Sequence, residues 1–144
     1  GEWGVGVPPG LDPTITTGLL WEVEDHDDLT EVARQVQRMR WWMAEHGQQE
    51  KPLWVTEYGI LLPPEMGFTT DVVIDFMLAS FDLFESLRDP ALGYAADDDR
   101  LVQRWMWFST NFPELPAGNL FDDAGQPTPV MEAMADYLNQ SNPD

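Results

Sequence analysis

The sequence predicts an α/β fold built on parallel strands, on three observations. Two short runs, PLWVTEYGI at 52–60 and LVQRWMWFST at 101–110, have the length and the aromatic and β-branched content of strands. A helix-period segment of the right length lies between them, which suits parallel strands joined by a crossover. Further amphipathic segments stand before the first run and after the second, so helices and strands alternate along the chain.

Each element has its own grounds. Residues 1–28 are rich in Gly, Pro, Thr and Asp yet hold Trp3 and Trp21, and read as a long ordered loop rather than a linker. EDHDDL opens a helix: Asp27 or Asp28 can cap it, and Glu31 sits near the positive end of its dipole. Over residues 29–45, Leu29, Val32, Ala33, Val36, Met39, Trp42 and Met43 recur in steps of three and four. Arg34, Arg38 and Arg40 fall on the opposite or flanking sides. Gly47, after His46, is a helix stop. A strand is expected over 53–58. A second helix, capped by Thr69 or Thr70, runs through TTDVVIDFMLASFDLFESL; its apolar residues cover more than half its circumference and predict burial. Pro90 and Gly93 break the chain before the second strand, expected over 101–110. After a long loop, Thr128 caps a last helix with Pro129 at its first position. Two strands make a poor parallel sheet, because such sheets need several neighbours and both faces covered. The opening GEWGVGVPPG reads as loop, so sequence is expected before Gly1, and that is where a secretion signal would lie.

Composition narrows the function classes. The 144 residues carry 26 acidic and 7 basic side chains, a formal charge of −19. A field of that sign repels phosphate backbones and anionic lipid, so no nucleic-acid and no membrane partner is expected, while neutral ligands such as sugars remain. With no cysteine, disulfides, thiolate metal sites and cysteine nucleophiles are excluded. No GxSxG, P-loop or GxGxxG is present, which removes the usual support for serine hydrolase, nucleoside-triphosphatase and dinucleotide-binding readings. No cofactor or metal is implied. His26 stands among acids at a helix start and reads as solvated. His46 suits a helix C-terminus. Asp97–Asp99 lacks the spacing of a calcium loop, and FDDAG at 121–125 is a turn signal.

The chemistry concentrates at strand ends. In parallel α/β architectures, sites lie beyond the carboxyl ends of the strands, and Glu57 stands at that end of the first. By alternation Leu53, Val55 and Glu57 share one face, and Trp54, Thr56 and Tyr58 the other. In the second run Trp105 and Trp107 share a face, with Trp107 nearer the end. A carboxylate beside an indole plane suits sugar chemistry: the acid attacks or stabilises an oxocarbenium-like centre, and the ring packs on the apolar face of a pyranose. Each residue also has a plain structural reading. Glu57 can pair with Arg104, Trp107 can be core, and Tyr58 can pack between strand and helix.

KPLWVTEYGIL resembles the seventh strand of clan A glycoside hydrolases, (β/α)₈ TIM barrels whose nucleophile Glu ends that strand. RWMWFST is similar to their eighth strand, and NLFDDAGQPTPVMEAMADYL to the turn and last helix that follow it. The resemblance spans roughly residues 29–140. It implies that residues 1–144 form the C-terminal portion of such a barrel, strands seven and eight with flanking helices, with residues 1–28 as a loop on the active-site side. It implies Glu57 as nucleophile in a retaining mechanism, Trp107 as the platform under the sugar, with Trp105 the second choice, and Tyr58 as a rim aromatic. If Leu53, Val55 and Glu57 face the barrel axis, Glu57 forms its top layer. The clan's acid/base Glu ends the fourth strand, for which these residues hold no match. The chain is therefore expected to be inactive alone and to need the remaining N-terminal part of the barrel as partner, with carbohydrate as substrate. Two other readings stand beside this one: a non-catalytic carbohydrate-binding module with tryptophans on one flat surface, and a barrel-assembly unit with a long open strand edge.

Overall fold

The computed structural model describes residues 23–141. The loop expected over 1–28 thus lies outside the described residues as far as residue 22. Its last part, Val23–Asp25, is a 3-10 turn. Then follow α1 (Leu29–Glu45), β1 (Trp54–Tyr58), α2 (Thr70–Ser86), β2 (Arg104–Trp107) and α3 (Pro129–Ser141), in the expected order.

The capping chemistry explains the helix limits. The Asp28 carboxylate accepts from the Thr30 N–H at 2.7 Å at the start of α1. The helix ends at His46, followed by Gly47 at φ 66°, a conformation that favours a residue without Cβ. Thr69 caps α2, and Thr128 Oγ1 accepts from the Met131 N–H at 3.3 Å at the head of α3.

β1 and β2 are parallel, with Trp54 opposite Arg104, Val55 opposite Trp105 and Tyr58 opposite Trp107. β2 is shorter than the expected run because the flanking backbone groups bond elsewhere. Leu101 N–H donates to Leu87 O at 2.9 Å, while Leu120 N–H and Phe121 N–H donate to Ser109 O and Thr110 O. Pairing slips between Val55 and Tyr58, where two β1 residues stand without a regular partner.

The strand does not keep the expected alternation through its end. Leu53 and Val55 pack beneath the helices with Val36, Phe84, Leu101 and Val102, not toward the open face. Past the irregularity Tyr58 also turns to the helices, its ring 5.3 Å from Phe84. On β2, Trp105 packs against Phe81 and Phe84 of α2 at 6.0 and 5.5 Å. Trp54 and Met106, half-exposed, occupy the other face of the sheet.

Arg40 also departs from expectation. It is fully buried. Its Nε donates to Leu101 O at 2.6 Å, Nη1 to Lys51 O at 3.0 Å, and Nη2 to the Gln103 side-chain oxygen. Gln103 in turn accepts from Leu53 N–H at 2.8 Å, so one guanidinium ties α1 to the starts of both strands. Burial pulls the Arg40 pKa below its ordinary value, and the Asp97 charge opposes the shift.

Within the described residues the sheet has these two strands, so each has an unpaired edge. A groove of about 1020 Å³ runs along the β2 edge between Trp105, Met106, Leu120, Met134 and Leu138. A second, of about 370 Å³, follows β1 and is walled by Val32, Val36 and Met39 of α1. This is an α/β arrangement; closure into a barrel is not among its described features. Among the described residues no helix is long and apolar enough to cross a membrane.

Candidate functional site at the carboxyl end of the sheet

Glu57 occupies the strand irregularity, with φ 57°. A non-glycine residue there is held in the left-handed region at a cost of about 1 kcal/mol. Its side chain is exposed, at the upper end of the smaller groove, with His26, Tyr58 and Gly59 beside it. Among the described residues no salt bridge joins it to Arg104 or to any other cation.

The residues after Glu57 hold it in place. Tyr58 O accepts from Phe108 N–H at 2.8 Å. The Tyr58 ring lies edge-on to Trp107 at 5.5 Å, and its hydroxyl is 3.1 Å from Ser80 Oγ. Ser80 donates its own proton to Met77 O at 2.7 Å, which leaves Tyr58 as the donor to Ser80. Burial raises the Tyr58 pKa well above its ordinary value. The sign follows: a folded-state pKa above the unfolded one gives stability that is complete below about pH 10 and is lost as pH rises through the folded value. Tyr58→Phe is expected to lower stability at neutral pH by about 1 kcal/mol, and to flatten the alkaline fall in stability; urea denaturation at pH 7 and above pH 10 checks both.

Gly59 is required by close approach. A Cβ there would lie 2.6 Å from Phe108 O and 3.4 Å from the Trp107 ring. Gly59→Ala must push the ends of β1 and β2 apart. It is expected to cost about 2 kcal/mol and to expose Trp107, seen as a lower melting temperature with red-shifted tryptophan emission.

Trp107 and Trp105, expected at the sugar, both make contacts on the helix side of the sheet. Trp107 is turned to the helix side, against Tyr58 and Phe76, and its Nε1–H donates to Gly118 O at 2.7 Å. Trp105 lies between the rings of Phe81 and Phe84. Tyr58 is likewise engaged in packing. Alternation places the next residue, Phe108, opposite Trp107. Phe108 belongs to neither core cluster; its ring meets Phe112 at 5.6 Å and 65°. The peptide bond after Phe108 is cis.

The remaining charged motifs have local partners. Arg100 pairs with Asp97 at 2.9 Å and Glu85 at 2.6 Å, and Arg88 with Asp98 at 3.2 Å. Asp122 Oδ1 accepts from Ala124 and Gln126 N–H groups in a turn completed by Gly125 at φ 73°. The His46 ring stacks on Trp42 at 4.4 Å and hydrogen-bonds Trp42 O at 2.8 Å. Among the described residues no group of three or more His, Cys, Asp or Glu is placed to hold a metal.

An exposed carboxylate in the left-handed backbone region stands at the carboxyl end of a parallel pair, within an α/β arrangement. The family model described as glycosyl hydrolase catalytic core matches residues 29–134, and the chain belongs to that family. The chemistry of the class is glycoside hydrolysis, and its substrate is carbohydrate. No curated protein and no solved structure matches the chain.

Proposed function

We propose that this chain supplies the nucleophile side of a retaining glycoside hydrolase of the clan A barrel type, with Glu57 as the nucleophile. The observation that carries this reading is the backbone of Glu57. A bulky acid held at φ 57° on a strand end, exposed and without an ion pair among the described residues, is costly to keep for packing alone. In the first step Glu57 attacks the anomeric carbon and forms a glycosyl ester, while a second carboxylic acid protonates the departing oxygen. In the second step that group, now a carboxylate, takes a proton from water as it attacks the same carbon, and Glu57 leaves. Phe108 and Phe112 offer the apolar surface for the sugar ring. Tyr58, Trp105 and Trp107, whose rings are packed, support the site from beneath.

The second carboxyl must stand about 5 Å from Glu57 in a retaining site. We assign it to further strands of the barrel. The two sheet edges, unpaired among the described residues, and their apolar grooves support this, since parallel strands with bare edges need neighbours. Those edges favour this reading over a self-contained carbohydrate-binding module. The test is to combine this chain with an N-terminal portion of the barrel and assay α- and β-configured 4-nitrophenyl glycosides. Activity is expected only in the combination and only with Glu57 intact. Turnover that persists in Glu57→Gln would sink the assignment.

A further inference from the structure

A buried side chain helps to hold the chain after β2. Asn119 is 4% exposed, and Ser109, which faces it, is 7% exposed. Asn119 Oδ1 accepts from Phe112 N–H at 2.8 Å and from Ser109 Oγ at 3.0 Å. The Phe112 N–H can only donate, so it fixes which end of the amide is oxygen. The Asn119 carbonyl accepts from Thr128 Oγ1 at 2.6 Å, which secures it to the cap of α3. Leu120 N–H then closes on Ser109 O at 3.0 Å.

These bonds converge on the two phenylalanines. Ser109 directly follows Phe108, and Phe112 is the residue whose ring meets Phe108. Phe108 is bonded on its other side to Tyr58, next to Glu57. A buried carbonyl that collects two donors across a loop restricts both ends of it, and its loss leaves a donor unpaired.

We propose that Asn119 is a positioning residue of the site, holding the segment 109–119 so that Phe108 and Phe112 keep a fixed place at the carboxyl end of the sheet. The inference rests on the functional reading above, since it takes the two rings as the sugar-facing surface. Asn119 does not itself touch the reacting atoms. Its effect belongs in ground-state and transition-state binding alike, because the apolar face of the sugar packs on the rings throughout the reaction.

Two variants and two measurements test it. Asn119→Leu keeps the volume and loses the acceptor; Asn119→Asp keeps acceptor oxygens for Phe112 and Ser109. In the assembled enzyme, Asn119→Leu is expected to raise KM for 4-nitrophenyl glycosides about tenfold with kcat within about twofold, and Asn119→Asp to restore most of the loss. In the chain itself, hydrogen exchange at Phe112 N–H is expected to quicken in Asn119→Leu but not in Asn119→Asp, with Phe108 N–H unchanged in both. Unchanged protection of Phe112 in Asn119→Leu overturns the proposal. So does a fall in kcat alone, or an equal loss in both variants. If Asn119→Leu leaves KM unmoved while Glu57→Gln is inert, the positioning role fails and the functional reading stands. If Glu57→Gln remains active, the functional reading fails, and exchange at Phe112 still decides whether Asn119 holds the segment.

Discussion

Glu57→Gln is expected to lower kcat/KM of the assembled enzyme by a factor of about 1,000 or more, with little change in fold. The substitution is nearly isosteric, but an amide does not form the glycosyl ester, so the covalent route closes. A thousandfold corresponds to about 4 kcal/mol of transition-state stabilisation. Glu57→Gly sharpens the test by separating chemistry from stability. Glycine enters the left-handed region freely, so at φ 57° it is expected to stabilise the chain by about 1 kcal/mol while removing all turnover. Opposite signs in melting temperature and activity are the mark of a strained residue kept for its reaction. If Glu57→Gly lowers the melting temperature, the carboxylate is making a stabilising contact and the strain argument fails.

Arg40→Met is expected to be the most damaging change away from the site, costing about 3 kcal/mol. Methionine fills much of the volume but donates nothing, so Leu101 O, Lys51 O and the Gln103 side chain lose the donor they share at a fully buried residue. For a chain of this size the melting temperature falls by roughly 10 °C. Arg40→Lys keeps the charge and loses the planar fork, so it should recover only part of the loss. Full recovery by lysine would show that charge alone matters there. Since Gln103 also accepts from Leu53 N–H, the Arg40 variants should loosen the paired starts of β1 and β2 first. Faster hydrogen exchange at Leu53 and Gln103 than at Phe108 reports that order.

Much of the fold was legible locally. Asp28, Thr69 and Thr128 mark helix starts through side-chain oxygens within a few residues, and Gly47 marks a stop through its own backbone conformation. Glu57 was visible as an acid in a place where an apolar run should continue. Arg40 was not visible. It falls among polar residues on a helix flank, and only the arrival of Leu101, Lys51 and Gln103 from elsewhere in the sequence buries it and gives it acceptors. The facing of β1 also misled. Alternation holds while pairing is regular, and the slip between Val55 and Tyr58 reverses the sides beyond it.

What the sequence determined by itself is the alternation of helices and strands, their caps, and the acid at a strand end, because each depends on neighbours within a few residues. Tertiary structure alone decided which aromatics pack on the helix side, and what Arg40 and Asn119 hold. Those depend on partners brought together from far along the chain. Trp107 and Phe108 are adjacent aromatic residues of similar local propensity, yet Trp107 packs against Tyr58 and Phe76 while the Phe108 ring meets Phe112.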